Sequence, residues 1–406
     1  MPATPGALPV LPTSAVAGPF RHDTRFMADN ISTALFADPL LGIGLQLRAR
    51  LTDALENQRF DASIYSPFGD ILRTTNLTAS YLNQTKRYDW GIAYQKQAYF
   101  FNAENSAYRT RYGRQEIAPT VAYPLTHALS LRGGPRYVNT SQTVVGNFST
   151  LEDKTTNFLG YQAELVFDNA INTGVNMPVG TRMKISFTQL NSVSNGNHNF
   201  GKLTIDLRHY QRLHRSLVWA NRASYGQFLG PQAQTFRLGG MDNWLNANSP
   251  ADTYGSTRLP DDPSQVFYQQ FITNLRGFDY NTRTGSRYVL FNSELRFPIV
   301  QYFAHRPIYS GFFRNLQLIG FADAGTAYSG ANPFSENNSF NTQIIGGSIN
   351  PFSATVTNFR NPFLIGYGAG IRTTLLGFYG KFDLAWGQQD YVTKGPKPYF
   401  TLGYDF

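Results

Sequence analysis

Few residue types in this chain have the spacing that bond-breaking chemistry needs. Its six histidines, at positions 22, 127, 198, 209, 214 and 305, form no close metal-spaced pair, and there is no cysteine. Thiolate metal sites, a disulfide framework and a Cys nucleophile are therefore excluded. His209 and His214 stand among Arg208, Arg212 and Arg215 and read as a solvated basic turn. His198, in "NSVSNGNHNF", has no carboxylate nearby in sequence to orient it as a base. "GYGAG" lies within a strand-like stretch and lacks the strand-to-helix transition of a phosphate loop. No metal, cofactor or catalytic group is expected. What remains is charge pairing. The stretch "NLRGFDYNTRTG" sets Arg276 beside Gly277 and Phe278, a guanidinium and a large ring around a residue with no side chain. Its planar fork of donors can serve two acids at once.

The elements that must position such a group follow from composition. Of 406 residues, 42% are hydrophobic, 15% aromatic and only 15% charged, with 36 glycines, a mixture that favours β-structure over helix. No run of about 18 apolar residues is present, which argues against a helical membrane protein. A soluble sandwich or propeller remains open on composition alone. The formal charge of +9 comes from Lys and Arg spread along the chain without a block, so a mildly basic surface is expected and nucleic acid is not.

Period-two alternation runs through almost the whole sequence. In "LLGIGLQLRARL", Leu41, Ile43, Leu45, Leu47, Ala49 and Leu51 fall on one face and Gln46, Arg48 and Arg50 on the other. Strands are expected at 18–27, 40–51, 56–66, 70–82, 87–101, 107–122, 128–140, 156–168, 180–191, 200–212, 216–228, 287–298, 314–325, 363–374, 378–388 and 397–406. Most exceed the five or six residues usual in soluble sheets, and their charged faces suit a water-filled lumen better than a sandwich core. The fold expected is thus all-β, a transmembrane antiparallel barrel of sixteen strands over 18–406, with both ends periplasmic. Short turns then fall on one side. The long connections 229–286 and 326–362 fall on the other. Residues 1–17, within "MPATPGALPVLPTSAVAGPF", lack the charged and apolar regions of a secretion signal and read as a Pro/Ala-rich flexible linker inside a longer precursor. "YFTLGYDF" puts Phe400, Leu402, Tyr404 and Phe406 on one face of a last strand that ends on an aromatic, a signal that barrel assembly reads through Tyr404 and Phe406.

Within this frame, Leu275-Arg276-Gly277-Phe278 resembles the Val-Arg-Gly-Phe/Tyr motif of the outer-membrane assembly factor superfamily, the bacterial surface antigen family that includes BamA, TamA and the two-partner secretion transporters. In that family the motif lies in the sixth extracellular loop, between strands eleven and twelve, where the strand count puts it here. "FADAG" supplies Phe321, Asp323 and Gly325 on strand thirteen, similar to the family's Phe/Gly-x-Asp-x-Gly. "GYGAGIRTTLLGFYGKFDLAWG" resembles its glycine-rich fourteenth strand, tight turn and fifteenth strand. Two features depart from the pattern. Leu238-Gly239-Gly240 is separated from Arg276 by a polar insert, and the 17 residues before the expected first strand are too few for a POTRA domain, so the chain is expected to be the barrel portion.

The resemblance implies a long sixth loop folded into the lumen and a non-enzymatic role in protein insertion or translocation at the bacterial outer membrane. Expected partners are outer-membrane lipids and lipopolysaccharide, with client polypeptides or a lipoprotein or N-terminal periplasmic domain. The alternatives are a passive porin or small-solute channel, and a barrel anchor or docking platform. Arg276 is expected to pair with Asp323, with Glu294 as second acceptor, since period two turns both acids inward on neighbouring strands. The contact is expected to lie in a partly wet lumen. Gly277 would permit close approach and Phe278 would shield the pair, with Phe321 and Gly325 packing nearby. Gly366, Gly368 and Gly370 share one inward face and mark a strip that the loop or an aromatic ring approaches. Poor alternation in "GPFRHDTRFM" predicts a weak seam between the first strand and the last.

Overall fold

The computed structural model describes residues 25–68, 74–102, 109–145, 153–194, 196–247, 263–336, 338, 340–345, 354–357 and 360–406. The expected linker, the start of the expected first strand and the middle of the polar insert lie outside these residues. Alternating side chains fold into β1 (Phe26–Asp38), β2 (Gly42–Asp53), β3 (Gln58–Pro67), β4 (Thr75–Asn83), β5 (Asp89–Asn102), β6 (Arg109–Pro124), β7 (Leu129–Val145) and β8 (Lys154–Asp168). After the two-residue β9 (Ile171–Asn172) come β10 (Pro178–Ser192), β11 (Phe200–His214) and β12 (Leu217–Leu229). The long connection that follows holds β13 (Phe236–Leu238), helix α1 (Pro263–Tyr268), β14 (Gln270–Ile272) and β15 (Arg283–Gly285). Then come β16 (Arg287–Phe297), helices α2 (Ile299–Phe303) and α3 (Gly311–Arg314), β17 (Gln317–Tyr328), the hairpin β18 (Thr342–Ile345) and β19 (Ala354–Thr357), β20 (Leu364–Leu375), β21 (Phe378–Gln389) and β22 (Val392–Leu402).

The long strands form one antiparallel sheet, each pairing with the next long strand along the chain; the short β9 pairs with β10 beside β8 and brings the sheet to 17 strands. On β2 the leucines 45, 47 and 51 are solvent-exposed, and Phe291 and Leu295 on β16 are likewise exposed. Rings continue this apolar face from strand to strand near the short turns. Phe26, Phe60, Tyr81 and Trp90 stand 5.0, 4.8 and 5.5 Å apart in sequence, an aromatic row of the kind that flanks a membrane-facing band.

The buried core sits on the opposite, inner face. Loop residues Phe236, Leu238, Leu275 and Phe278 pack with Val138, Phe158, Phe228 and Leu364, drawn from β7, β8, β12 and β20. Farther round, Val266 and Phe267 of α1 meet Tyr99 on β5 and Tyr112 on β6. One connection therefore touches wall strands from β5 to β22 on a single face, which requires the sheet to curve around it.

Both terminal strands depart from expectation. β1 continues to Asp38, well beyond the expected end at residue 27, and a bulge between Ala28 and Asn30 interrupts the alternation on which the sequence reading of that continuation depends. β22 starts at Val392 rather than 397, since Asp390 and Tyr391, both at positive φ, make a two-residue turn. It ends at Leu402. Gly403, at φ +111°, turns the chain, so Tyr404 stays exposed while Phe406 is buried against Met177, Tyr210 and Val218. Phe406 thus does not share the exposed face of Phe400.

The two faces make opposite demands. Leu47→Arg, on the exposed apolar face of β2, is expected to destabilise the fold in lipid vesicles by about 2–4 kcal/mol, and Ser63→Arg, on the inner face of β3, by under about 1. Equal losses in vesicle-based denaturant unfolding would contradict this assignment of faces.

Candidate functional site

Arg276 lies at the inner face of the wall, 1% exposed. Glycine makes the approach possible. Gly277 adopts φ +91°, and a Cβ there would stand 2.7 Å from the Cα of Gly387 on β21. Two backbones pass in contact at a point where either side chain would hold them apart. Tyr399 on β22 clamps the tip, accepting from the Gly277 amide at 2.8 Å and donating to the Phe278 carbonyl at 2.7 Å.

The guanidinium uses its fork on two strands at once. Nε and Nη2 donate to the Asp323 carboxylate of β17 at 2.6 and 2.8 Å, and Nη1 donates to Glu294 Oε1 of β16 at 2.7 Å. The Arg276 amide adds a 3.2 Å bond to Asp323, so side chain and backbone are held by one carboxylate. The Phe321 ring lies under the guanidinium, with its centroid 3.6 Å from Cζ, covering the flat face that makes no hydrogen bonds. Burial by itself pulls the Arg276 pKa down. Asp323 and Glu294 outweigh it and hold the pKa well above the ordinary value, so the group is a permanent cation.

Around this pair the charges form a set. Arg296 donates to Glu294 at 3.0 and 2.9 Å; Arg372 donates to Asp383 at 2.7 Å and to Asp405 at 2.9 Å; Lys381 is 3.2 Å from Asp405. Four cations thus meet four carboxylates, all nearly sealed from solvent. Such matching is required, because an unpaired buried charge costs several kcal/mol. The expected partly wet setting is therefore replaced by a dry one, since Phe321, Tyr399 and the loop backbone cover the charges. Asp405 also explains the inward turn of the chain end, as its carboxylate is drawn to Arg372 and Lys381.

The glycine strip on β20 lies directly beneath. A Cβ on Gly366 would collide with the Arg276 carbonyl oxygen, one on Gly370 with the Asp383 carboxylate, and one on Gly368 would stand 2.8 Å from the Phe321 ring. Gly325 is tight against Leu290 and Leu238. Leu275, fully buried, donates its amide to Gly240 at 3.1 Å, so the Gly-Gly segment and the Arg segment, far apart in sequence, are adjacent in space. Phe278 packs with Leu275 in the core under the loop rather than over the ion pair, with its ring tip beside Gly387. Sequence reasoning missed Arg372, Asp383, Asp405, Asn292 and Tyr399. Asp383 and Lys381 carried a signal, since period two turns both inward. Asn292, which donates to Asp323 at 2.8 Å, lies two residues from Glu294 on the same face.

Two expectations follow. Arg276→Ala leaves Asp323 without a cation and Glu294 with Arg296 alone, and should cost about 3–5 kcal/mol, with Arg276→Lys a partial rescue, measured by denaturant unfolding with protease accessibility of the loop. Gly366→Ala should cost about 1–3 kcal/mol by pushing on the Arg276 carbonyl, whereas Gly320→Ala, where a Cβ meets nothing within 4 Å, should be neutral. Equal effects at the two glycines would contradict a close approach at Gly366.

Comparison with known proteins bears on the fold and the family. The Omp85 superfamily domain matches residues 40–406. Among solved structures, the chain resembles BamA from Haemophilus ducreyi, determined without POTRA domains 1–3, at TM-score 0.60 and 13% identity, covering 91% of this chain and 69% of that one. CdiB from Escherichia coli gives TM-score 0.52 at 11% identity, over 94% of this chain and 67% of the other. CdiB from Acinetobacter baumannii gives 0.51 at 13%, over 91% and 58%. No curated protein sequence matches. The sheet, its apolar outer face and the family match over nearly the whole length lead to one assignment: the chain belongs to the Omp85 superfamily of bacterial outer-membrane β-barrel proteins.

Proposed function

We propose that this chain is a sixteen-stranded barrel with its sixth extracellular loop folded into the lumen, acting in insertion or translocation of client polypeptides at the outer membrane without bond-breaking chemistry. The observation that carries this reading is the seam between β1 and β22. Among the described residues no ladder joins these strands. Their edges are instead bridged by the loop. The Asn243 side chain accepts from the Ala37 amide at 2.6 Å and donates to the Leu402 carbonyl at 2.8 Å. Next to it the Leu245 amide donates to Phe400 O at 2.9 Å, and the Phe400 amide donates to Asn246 Oδ1 at 2.7 Å.

An unpaired strand edge inside a membrane is costly, so something must satisfy its amides and carbonyls. Here a few loop residues do so, with far fewer bonds than the ladders elsewhere. A polypeptide strand with full backbone pairing could displace them. Arg276 fixes the loop and so sets where Asn243 lies, because Leu275 is paired with Gly240, three residues before it.

Under this reading Leu275, Arg276, Gly277 and Phe278 anchor the loop, Asp323 and Glu294 are its counter-charges, and Phe321, Gly325, Gly366, Gly368 and Gly370 permit its packing. Reconstituted in vesicles, the chain should accelerate insertion of an unfolded outer-membrane barrel. A bis-maleimide joining Ala37→Cys to Leu402→Cys should abolish that acceleration and reduction-insensitive controls with single cysteines should not. Acceleration that survives cross-linking would remove the seam from the mechanism. The porin reading draws on the polar inner face of β1 to β4, where Asn30, Gln46, Arg48 and Ser63 border open space. Large steady conductance without deletion of residues 241–273, together with no client insertion, would make that reading the better one.

A further inference from the structure

Along β6 to β12, away from the strands that hold the Arg276 guanidinium, a cavity of about 350 Å³ lies under α1 and β14. Four cations line one side: Arg114, Arg136, Lys184 and Lys202. Two carboxylates answer them. Glu116 is bonded to both arginines and Glu164 is 2.8 Å from Lys184. The cluster therefore carries two positive charges more than its own acids neutralise. Lys202 meets a neutral acceptor, Gln270, at 3.3 Å, and among the described residues no carboxylate forms an ion pair with it. The buried Nε atoms of Arg114 and Arg136 have no hydrogen-bond partner among the described residues. This contrasts with the Arg276 cluster, where cations and carboxylates match one for one.

The opposite side of the cavity is apolar and aromatic, formed by Leu190, Phe200, Phe228, Phe267 and Tyr268. Its rings are held in place by one another. Phe200 and Tyr268 meet edge to face at 4.9 Å, and the Arg114 guanidinium lies 4.8 Å from the Tyr268 centroid, joining the two sides.

We infer that this cavity binds an organic phosphate monoester, its dianionic head on the four cations and its apolar or planar body against Phe200 and Phe267. The volume falls within the range of about 300–1,000 Å³ typical of small-molecule sites. Guanidinium forks match phosphate oxygens, and a dianion balances both surplus charges, where a carboxylate would balance one and a neutral solute none. The site is independent of the insertion reading, because it uses neither the seam nor Arg276.

The test is calorimetric titration of the full chain, folded in detergent micelles, with phenyl phosphate, inorganic phosphate, phenol and dihexanoyl phosphatidic acid. Phenyl phosphate should bind saturably and at least about tenfold tighter than inorganic phosphate, from burial of the ring, with no binding of phenol. Lys202→Gln should weaken binding about tenfold, and Arg48→Gln, in the other polar space of the lumen, should leave it unchanged. Should Lys202→Gln fail to fold, Lys184→Gln takes its place. Preference for phenyl phosphate over the phosphatidate would identify the natural ligand as a water-soluble ester, and the reverse as a lipid headgroup. No saturable binding of either ester, equal affinity for phenyl and inorganic phosphate, or equal weakening by Arg48→Gln would overturn the site.

Discussion

A charged guanidinium sealed inside a protein must be matched nearly bond for bond, and that requirement on Arg276 organises the inner face of this barrel. Asp323 and Glu294 supply the match from two adjacent strands, but each brings its own need for donors. Asn292 and the Arg276 amide meet the remaining lone pairs of Asp323, and Arg296 meets those of Glu294. Arg372 then balances Asp383, and Asp405 returns from the chain end to balance Arg372 and Lys381. The glycines of β20 are bare because side chains there would occupy the space that the loop backbone and the acids need.

The same contact fixes the loop as a lever. Leu275 is paired with Gly240, and Tyr280 donates to the Met241 carbonyl at 2.7 Å, so the chain leading to Asn243 is held on both sides. Trp244, packed on Tyr280 and Tyr399, continues that support to the free edge of β22. The strong part of the site is dry and multiply bonded. The part over the seam is a handful of hydrogen bonds, some of them exposed, which is the kind of region that opens locally while the rest stays folded. A firm anchor with a weak far end suits a cover that yields to a competing strand.

Much of this was legible in the sequence because strand periodicity is a two-state code. Once the inward face of β16 and β17 was known, Glu294 and Asp323 had to share it, and Gly366, Gly368 and Gly370 had to share the face of β20. Where the code is broken, the reading failed. The bulge in β1 hid the continuation of that strand beyond residue 27, and the turn at Asp390 and Tyr391, lacking Gly or Pro, was read as part of a longer loop. Gly403 was taken as a strand residue, although its positive φ sends Phe406 inward. Contacts that depend on three-dimensional return of the chain, such as Asp405 with Arg372 or Asn243 with both edge strands, leave no local pattern at all.

The coupling between anchor and seam is the central claim, and hydrogen exchange at two backbone amides reads it most directly. The Ala37 and Phe400 amides both donate to side chains of the loop, those of Asn243 and Asn246. In the folded wild-type barrel both should exchange slowly. In Arg276→Ala, both should exchange at least about tenfold faster while amides within the β6–β7 ladder keep their wild-type rates. Unchanged protection at Ala37 and Phe400 in that variant, with the loop shown to be released, would mean that the seam is held by something other than the Arg276 anchor.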